Sequence, residues 1–518
     1  MRYSERAKTN ILPTSLRAER AVFALIVGLF VAARLWRLAA YDLWADELTT
    51  FLTVQFDWRY LAGYAMQEIV HPPLFYAPIK LWAALGGESL LWLKLFPALA
   101  SLAGIVPLVL LCRELRLAAA EINLAVLLSA VNGYLIYYSQ ELRPYSFLLL
   151  LTICSLWLYA RYLNAADARR GLLLALAAAN LLLVYTHFFG WLVVGLEALF
   201  TLIWRRQRSA RFLLSVAALA LAYAPWMYIL ARRAAEKGGF EQNLGWIQAP
   251  TLRDLVWFYV TLNGPFRAPW VAATSLVGLL LFGAPVLAWA RRDLARGPAQ
   301  SPDSQATTLW FLLLFALLPT LAVFLASQLL PQAIWHPRYL IVVAAPYLIL
   351  VAVAVNRLRP HRLRAAALAL VVAWAALSGW SEINDTDRIA WHTAVAQMSQ
   401  AEPASSQRVD LYTFGSQDIQ FYLESAGERR FRVVPVEDRE SPALAGDHFW
   451  VAFRVFGDRY RLAFADTIGN VQEEQLQLAR LRSRLASGGY RVGEGVEAGT
   501  PGYRVFLFPV WRSAGAFN

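Results

Sequence analysis

Residues 21–39 have the sequence AVFALIVGLFVAARLWRLA, which is apolar at most of its positions. A helix rises about 1.5 Å per residue, so a run of this length can cross roughly 30 Å of membrane hydrocarbon. No small-residue cleavage site follows the run, and it is therefore predicted to be a retained membrane helix. Comparable runs recur as far as residue 380. Together they predict a polytopic α-helical membrane protein.

The composition supports this class of protein. Hydrophobic residues make up 58% of the 518 residues and charged residues only 16%, with a mean hydropathy of +0.44. A soluble domain would carry roughly a quarter charged residues. The net charge is +12, but many basic residues lie in short loops between apolar runs, as is typical of the cytoplasmic side of membrane proteins. We therefore expect the lipid bilayer, and no nucleic acid, as a partner.

Eleven apolar runs are predicted to span the membrane. They cover residues 21–39, 94–112, 120–138, 145–163, 171–186, 189–204, 212–230, 270–290, 308–330, 339–356 and 364–380. With residues 1–20 as a cytoplasmic N-terminus, eleven crossings leave most of the basic loops in the cytoplasm. Arg34 and Arg37 are exceptions, because both fall at the outer end of the first span. Residues 21–380 form the predicted transmembrane domain.

The segment at residues 74–85 is also apolar, but it is short and contains Pro78 and Lys80. If it crossed the membrane, every later basic loop would move to the outside. It is therefore predicted to be an interfacial or half-buried helix within a large first external loop, residues 40–93. In this topology nearly all unusual polar motifs lie on the external face, which predicts a single external active site.

After residue 380 the chain becomes more charged and alternates strand-like runs with helical stretches. Strands are predicted at residues 409–414, 431–436, 449–455 and 503–510, and helices at residues 417–424 and 467–487. Residues 385–518 are thus predicted to form a C-terminal α/β soluble domain of about 130 residues, an ordinary domain size. With eleven crossings this domain lies on the external (periplasmic) side.

Asp46 and Glu47 form an acidic pair soon after the first span. Adjacent carboxylates at a membrane edge are costly to desolvate unless they are paired, bind a metal or share a proton. Such a carboxylate can deprotonate an acceptor, orient it or hold a divalent cation. The pair is equally consistent with a solvated loop that starts a helix.

His71 precedes Pro72 and Pro73, which restrict the backbone and can fix the direction of the imidazole. The imidazole could bind a metal, donate to a phosphate or shuttle a proton, although a structural role is commoner. His187 and the histidine before Pro337 lie on the same predicted face. Three histidines there permit a metal site, but no two of them have helical ligand spacing.

Glu141 and Arg143 lie at the outer mouth of two spans, beside Tyr145. One interpretation is an ion pair between helix ends. The other is a phosphate-binding group in which the planar guanidinium of Arg143 binds the phosphate and Glu141 orients the guanidinium.

Three further polar residues lie where spans meet the external face. Arg338 and Tyr339 begin a late span, and Lys94 lies at the outer start of the second one. Either cation is well placed for a lipid phosphate, and either is equally consistent with ordinary anchoring at the interface. No phosphate-binding loop of the Walker type and no Gly-rich dinucleotide motif is present. An external enzyme without a nucleotide site needs an activated donor in the membrane, such as a lipid-linked sugar.

Five motifs occur in an order that resembles bacterial members of the dolichyl-phosphate-mannose protein mannosyltransferase-like family. They are Asp-Glu, His-Pro-Pro-Leu-Phe-Tyr, Ser-Gln-Glu-Leu-Arg-Pro-Tyr, Thr-His-Phe-Phe and Arg-Tyr-Leu, within roughly residues 20–380. This family belongs to the GT-C glycosyltransferase superfamily, in which the lipid A aminoarabinose transferases are a related branch. The resemblance implies a multi-spanning GT-C fold, a polyprenyl-phosphate sugar donor and inversion at the anomeric carbon.

The resemblance also implies roles for individual residues. Asp46 takes the catalytic position, as general base or as the carboxylate that orients the acceptor, with Glu47 as its neighbour. The remaining matches are donor-phosphate or substrate-binding positions: His71, Glu141, Arg143, Tyr145, His187, Arg338 and Tyr339.

Two departures limit this inference. Lys94 stands where the family often has arginine, so a point charge replaces a bidentate fork. Val70-His71-Pro72 replaces a Glu-Lys-Pro element of the aminoarabinose branch, and the substrate of that branch is therefore not inferred.

The sequence as a whole predicts an inverting glycosyltransferase of the bacterial inner membrane, with its active site on the outer face. It would move a hexosyl or pentosyl group from a polyprenyl-phosphate carrier to a protein, lipid or glycan acceptor. The sequence specifies no cofactor, and Asp46, Glu47 and His71 leave a divalent metal open. The alternatives are a transporter or flippase of lipid-linked glycans, a polymerase or ligase using lipid-diphosphate donors, and a non-catalytic scaffold. Transporters place their sites near mid-membrane, unlike these motifs.

Overall fold

The structure is a computed structural model of the whole chain. The residues described here are 14–67, 71–165, 170–236, 247–264, 271–294, 305–384, 390–402, 408–414, 418–436, 444–454, 465–499 and 504–513. The predicted N-terminal segment 1–20 is described only from residue 14 onward.

Helices dominate the chain up to residue 383, and their order follows the predicted apolar runs. The first group is α1 (Thr14–Leu35), α2 (Ala45–Gln55), α3 (Trp58–Gln67), a 3₁₀ helix (Pro73–Phe75), α4 (Tyr76–Gly86), α5 (Leu90–Ala103), α6 (Ile105–Glu114), α7 (Ala119–Val131), α8 (Gly133–Ser139) and α9 (Tyr145–Asn164). The second group is α10 (Arg170–Thr186), α11 (Gly190–Trp204), a 3₁₀ helix (Arg206–Arg208), α12 (Ser209–Glu236), α13 (Leu252–Asn263), α14 (Val271–Leu294), α15 (Gln305–Leu329), a 3₁₀ helix (Pro337–Val343), α16 (Ala344–Asn356) and α17 (His361–Ile383).

The protein crosses the membrane several times. Among the described residues, six helical segments are long and apolar enough to span it, or seven if the bent pair α7 and α8 is one span. The helices α10 and α11 are apolar but shorter. Each of the predicted spans overlaps a helix or two successive helices, yet the number of eleven crossings is not confirmed by length and hydropathy.

The chain bends by 61° between α7 and α8, and the break is held by polar contacts. The Asn132 side chain accepts a hydrogen bond from Leu135 N at 3.0 Å and donates one to Leu262 O at 2.7 Å. The guanidinium of Arg34 donates to the carbonyls of Ser129 and Ala130, which end α7 and have no partner inside the helix. A buried cation at a helix C-terminus is favourable, which explains why Arg34 departs from the loop-charge rule.

The helix α16 lies at the centre of the bundle. It continues from the 3₁₀ helix at Pro337–Val343, and 94% of this segment is buried. It is apolar on all faces, as expected for a helix enclosed by others. This central position fixes the 3₁₀ helix at its start, which carries Arg338.

The first loop forms a compact layer above the bundle, built from α2, α3 and α4. As predicted, the segment around residues 74–85 is a short helix, since α4 has only 11 residues. Lys80 Nζ donates to Val54 O at 2.6 Å and ties α4 to α2. An apolar cluster that includes Leu48, Phe75 and Leu142 joins this layer to the membrane helices.

The C-terminal domain is a mixed sheet with helices on both faces. Its elements are α18 (Trp391–Ala401), β1 (Val409–Phe414), α19 (Asp418–Ser425), β2 (Phe431–Pro435), β3 (His448–Arg454), α20 (Ala465–Ser487), β4 (Tyr490–Val492), β5 (Val496–Ala498) and β6 (Val505–Arg512). The strand order is β2-β1-β3-β6-β4, with β5 also paired to β6. Strands β1, β2 and β3 are parallel, while β6 is antiparallel to β3, β4 and β5. The predicted strands and helices are thus present where the chain is described.

Alternation along the strands separates two apolar layers. Leu411 and Trp450 face α18 and α19, whereas Tyr412 and Val451 face α20. The first of these layers also borders the large first loop.

Contacts between three residue pairs join the C-terminal domain to the first loop. His392 Nδ1 lies 2.5 Å from Asp42 Oδ1, and His392 N donates to Asp42 Oδ2 at 2.9 Å. Tyr422 OH donates to Leu43 O at 3.0 Å. The Phe421 and Phe51 rings meet edge to face at 5.4 Å. The domain therefore braces the loop that carries Asp46.

Candidate active site

Asp46 lies between two arginines that come from distant parts of the chain. Its Oδ2 atom accepts a hydrogen bond from Arg338 Nη1 at 2.9 Å and lies 4.0 Å from Arg143 Nη2. The Asp46 side chain is 32% exposed, whereas both arginine side chains are only 6% exposed. The arrangement presents one accessible carboxylate in front of two buried guanidinium groups.

The local structure explains the position of Asp46. Helix α2 begins at Ala45, so the carboxylate lies in the first turn, where it interacts favourably with the helix dipole. Thr50, one turn later, donates to Asp46 O at 3.2 Å and accepts from Arg143 Nη1 at 3.1 Å. Arg143 Nη1 also donates to Asp46 O at 3.2 Å. These contacts hold α2 against the loop that follows α8.

Glu47 points away from Asp46, contrary to the idea of a shared proton or cation. Its Oε1 accepts from Leu142 N at 2.7 Å and lies 3.6 Å from Lys94 Nζ. Both side chains are buried, Lys94 completely. The reason is helix geometry, because adjacent residues of α2 project about 100° apart. Lys94 therefore pairs with Glu47 inside the protein and does not face the opening beside Asp46.

Glu141 does not form the expected ion pair with Arg143. Its Oε1 accepts from the indole N–H of Trp44 at 2.9 Å. Burial, together with the nearby charge of Glu47, raises the pKa of Glu141 to about 7. Glu141 therefore supports the tryptophan that starts α2, rather than orienting Arg143.

His71 faces Arg143, with 3.4 Å between its Nε2 and Arg143 Nη2. The guanidinium can only donate, so Nε2 accepts and Nδ1 carries the proton. Burial and the charge of Arg143 hold the pKa of His71 well below its usual value, so the ring is neutral at physiological pH. The two prolines after His71 start the 3₁₀ helix Pro73–Phe75 and keep the ring in this position.

His187 and His336 are oriented by the backbone. Nδ1 of His187 accepts from Phe189 N at 3.2 Å, and Nδ1 of His336 accepts from Arg338 N at 3.3 Å. Nε2 of each ring must then carry the proton. Burial and the charge of Arg338 lower the pKa of His187 to about 3, and the same two causes lower the pKa of His336. Both rings are therefore neutral N–H donors.

Aromatic rings enclose the guanidinium of Arg338. Its Cζ atom lies 5.7 Å from the ring of Trp44, 5.8 Å from Tyr145 and 5.3 Å from Tyr339. Such cation–π contacts stabilise a buried guanidinium. The Tyr145 and Tyr339 rings are 6.5 Å apart, and His187 lies 5.0 Å from Tyr339. Arg338 is thus fixed in a narrow aromatic pocket.

Several buried polar atoms in this pocket have no hydrogen-bond partner among the described residues. They are Nδ1 of His71, Nε of Arg143, the hydroxyl of Tyr145 and Nε2 of His187. All four can donate a hydrogen bond. The rings of His71 and His187 lie 5.8 Å apart, and those of Tyr145 and His187 6.5 Å apart. A group of unfilled donors around two arginines is suited to a buried anion.

The charges in the site agree with this. Glu47 and Lys94 neutralise one another, and the histidines are neutral. Arg143 and Arg338 outnumber Asp46, so the site carries net positive charge when Glu141 is protonated and no net charge when Glu141 is ionised. In a buried environment this charge attracts an anion strongly.

The residues suggested for a metal do not fit one as a set. Among the described residues, no group of three or more His, Cys, Asp or Glu side chains is placed to hold a metal ion. Asp46 faces arginines, Glu47 faces Lys94, and His71 accepts from Arg143. Three side chains with such separate partners do not converge on one cation.

Of the predicted site residues, seven lie in one cluster: Asp46, His71, Arg143, Tyr145, His187, Arg338 and Tyr339. Glu47, Lys94 and Glu141 lie behind it. Trp44 and Thr50 also belong to the site, although no sequence motif gave them a role. Thr50 follows Asp46 by four residues on α2, the spacing that places two side chains on one helix face. That spacing was a usable signal.

The fold has counterparts among solved structures. ArnT from Cupriavidus metallidurans in the apo state matches with a TM-score of 0.57 and 15% identity, over 96% of this chain and 98% of that chain. The same protein bound to undecaprenyl phosphate matches with a TM-score of 0.53 and 14% identity, over the same shares of the two chains. The Archaeoglobus fulgidus oligosaccharyltransferase, tethered with an acceptor peptide containing the NVT sequon, matches with a TM-score of 0.52 and 14% identity. The match covers 94% of this chain and 74% of that chain. No family model and no curated protein matches the chain. Since both neighbours are GT-C superfamily members, the expected fold is confirmed, and this chain has the GT-C fold.

Proposed function

We propose that this protein is an inverting glycosyltransferase that uses a polyprenyl-phosphate sugar. The sugar, a hexose or a pentose, passes to a protein, lipid or glycan acceptor. The reaction takes place on the outer face of the bacterial inner membrane, the face on which the sequence predicts Asp46 to lie. The helices are the multi-pass anchor, and residues 385–518 form the external domain.

One observation carries this proposal: buried, unfilled donors surround two arginines next to a single accessible carboxylate. Donors without partners are costly, at about 1–3 kcal/mol each, and a ligand anion would satisfy them. A carboxylate beside them adds a base. An anion-binding pocket with an adjacent base suits a reaction in which phosphate departs and a hydroxyl or amine attacks.

The solved neighbours support the choice of a lipid-linked donor. ArnT has been solved with undecaprenyl phosphate, and the archaeal AglB, at a TM-score of 0.50, with a dolichol-phosphate and an inhibitory peptide. The polar pocket of this chain accommodates the same phosphate chemistry.

The leaving phosphate is held by Arg143 and Arg338. Arg143 offers Nε and Arg338 its guanidinium, while the Tyr145 hydroxyl and His187 Nε2–H donate from the side. As the bond between the anomeric carbon and the phosphate oxygen breaks, negative charge grows on that oxygen. Fixed donors stabilise this charge without reorganising.

Asp46 acts as the base. The acceptor oxygen or nitrogen attacks the anomeric carbon from the face opposite the phosphate, its proton moves to Asp46, and the polyprenyl phosphate leaves with the bonding electrons. Arg338 donates to Asp46 at 2.9 Å without substrate. A donor phosphate competes for Arg338 and frees the carboxylate, so that the base becomes available once the donor is bound.

Glu47, Lys94 and Glu141 are positioning residues. Glu47 fixes Leu142 N and hence the loop that carries Arg143. Glu141 fixes Trp44, which starts α2. No step is assigned to a metal, because Asp46, Glu47 and His71 have other partners, although the archaeal oligosaccharyltransferase has also been solved with zinc and sulfate. Adding EDTA to the transfer assay tests this point.

The test is sugar transfer by purified, lipid-reconstituted protein. Radiolabelled polyprenyl-phosphate hexoses and pentoses are the donors, and a membrane extract supplies acceptors. Wild type is compared with Asp46→Asn, which we expect to lose transfer by about 10²–10⁴-fold, as for a general base, with donor binding intact. Asp57→Asn is the matched control: it makes the same chemical change in the same loop, at an exposed side chain that only caps α3.

Label that moves in wild type and Asp57→Asn but not in Asp46→Asn supports the proposal and identifies the acceptor class. Equal transfer by Asp46→Asn would remove Asp46 as the base. If folded wild type transfers from no monophosphate donor, the proposed donor class is wrong.

A further inference from the structure

A further cavity lies between α10 and α12, away from Asp46. Its volume is about 660 Å³, within the range of ligand-binding pockets. Arg170, Arg211 and Ser215 are its polar lining residues, and the others are leucines and alanines. Alanines on both helices leave the space open. The cavity is therefore an apolar slot with two cations.

The two arginines lie at the membrane face opposite the Asp46 site. Helix α10 begins at Arg170 and ends at Thr186, beside His187 of the site. Its 17 residues rise about 25 Å. The slot follows α10 only from Arg170 to Leu181, about 16 Å, close to half of the roughly 30 Å hydrocarbon thickness. The slot thus has the depth of one leaflet.

The slot is closed towards the site. Tyr185 OH donates to Ala222 O at 2.8 Å, and the rings of Tyr185 and Tyr223 meet edge to face at 5.0 Å. A lipid chain that enters beside Arg170 ends at this contact. None of the residues of the Asp46 site lines the slot, so the slot is separate from that site.

The mouth of the slot favours an anion. Arg170 and Arg211 are exposed, and within the described part of the chain neither guanidinium has a hydrogen-bond acceptor. Arg208 next to them differs, since it donates to the carbonyls of Tyr162 and Ala165. Helices α10 and α12 both start at this mouth, which adds the positive ends of two helix dipoles.

We propose that the slot binds an acidic phospholipid of the leaflet opposite the active site. One acyl chain lies between α10 and α12, and the phosphate is bound by Arg170 and Arg211. Basic pockets between membrane helices on the cytoplasmic side are suited to anionic headgroups. The lipid fills a gap that side chains leave open and holds α12 against α10. This binding does not depend on the proposed sugar transfer.

Native mass spectrometry of the intact, detergent-purified protein tests this inference. Phosphatidylglycerol and phosphatidylcholine with identical acyl chains are added separately, and bound lipid is counted over a concentration series. Wild type is expected to retain one phosphatidylglycerol more tightly than phosphatidylcholine. The double variant Arg170→Gln/Arg211→Gln should weaken phosphatidylglycerol binding roughly 30-fold, at about 1 kcal/mol for each arginine.

Two further variants identify the site. Arg362→Gln/Arg364→Gln removes two exposed arginines at the start of α17 on the same membrane face and should leave lipid binding unchanged. Ala218→Phe fills the slot and should weaken both lipids. Equal binding by the Arg170/Arg211 variant and its control would overturn the proposal. The proposal would also be overturned if no lipid were bound and the protein instead formed a dimer that Ala218→Phe disrupts.

Discussion

Two buried polar clusters in the membrane half differ in how completely their hydrogen bonds are made. In the cluster of α9, α10 and α11, the Glu197 carboxylate accepts from Ser155 Oγ at 2.7 Å and Asn180 Nδ2 at 2.8 Å. Tyr159 OH donates to Glu197 O at 2.7 Å and meets Thr201 Oγ1 at the same distance. Within the described residues, none of these side-chain atoms lacks a partner.

By comparison, the buried polar atoms around Asp46 do not all have hydrogen-bond partners among the described residues. Arg143, Tyr145 and His187 each keep a buried atom without a partner among the described residues. Buried polar atoms without a partner are uncommon in folded proteins, and a group of them around one carboxylate is suited to a bound ligand. The difference indicates that Glu197 and its neighbours join helices, whereas the Asp46 cluster is built to receive a ligand.

After Asp46→Asn, Arg338→Gln should produce the largest effect on transfer. It removes a charged donor from the leaving phosphate, and loss of one such donor typically costs about 10²–10³-fold. The measurement is kcat/KM for the lipid-linked donor in reconstituted protein. Arg364→Gln, an exposed arginine of α17, is the charge-matched control. A variant with wild-type kcat/KM would show that Arg338 only anchors the pocket.

Glu197→Leu should act on stability. The change leaves the Asn180 Nδ2 donor buried without its acceptor, while the Ser155 hydroxyl keeps Asn180 Oδ1 as an acceptor. The expected cost is about 1–3 kcal/mol. Thermal unfolding in detergent measures the loss, and transfer per folded molecule should stay at the wild-type level. Lost transfer with unchanged unfolding would contradict the structural role of this cluster.

Glu141→Gln should change how stability depends on pH. Burial and Glu47 raise the folded pKa of Glu141 to about 7, above its unfolded value near 4.3. The stability from this group is therefore present below the unfolded pKa and is lost as pH rises through 7. Wild type should lose up to about 3 kcal/mol relative to the variant between pH 5 and pH 8. If the unfolding temperatures of wild type and Glu141→Gln changed in parallel between about pH 5 and pH 8, the raised pKa of Glu141 would be refuted.

The pair Tyr145→Phe and Tyr159→Phe compares one hydroxyl from each cluster. The Tyr145 hydroxyl has no hydrogen-bond partner in the part of the chain that the structure describes. Its removal should therefore leave stability unchanged and reduce transfer about 10-fold through a lost phosphate contact. Removal of the Tyr159 hydroxyl should leave transfer unchanged and cost about 1 kcal/mol of stability. Both variants are measured in the same transfer and unfolding assays. A reversed pattern would exchange the roles of the two clusters.

Much of the fold could be predicted from the sequence because it depends on local composition. The apolar runs correspond to helices, and the strand at residues 409–414 has the predicted bounds. The ordered motifs Asp-Glu, His-Pro-Pro and Arg-Tyr-Leu led to the GT-C fold, and four of their residues lie in one cluster: Asp46, His71, Arg338 and Tyr339. Hydropathy and residue order express these features directly.

Partners could not be predicted in the same way. Glu47 was expected to work with Asp46, but the turn of α2 sends it to Lys94. Glu141 was expected to meet Arg143, but it accepts from Trp44. Arg34 disagreed with the loop-charge rule because its acceptors, the carbonyls at the end of α7, exist only where the chain bends. Neighbours in sequence need not be neighbours in a site.

The sequence by itself determined that the chain is a membrane protein with polar motifs on one face, since hydrophobic length and charge are local properties. Only the tertiary structure decided which carboxylate is accessible and which donors stay unfilled. Asp46 and Arg338 are 292 residues apart in the chain, and packing of α2 against the start of the central helical segment brings them within 2.9 Å. Such a contact depends on packing over the whole bundle, which no local pattern encodes.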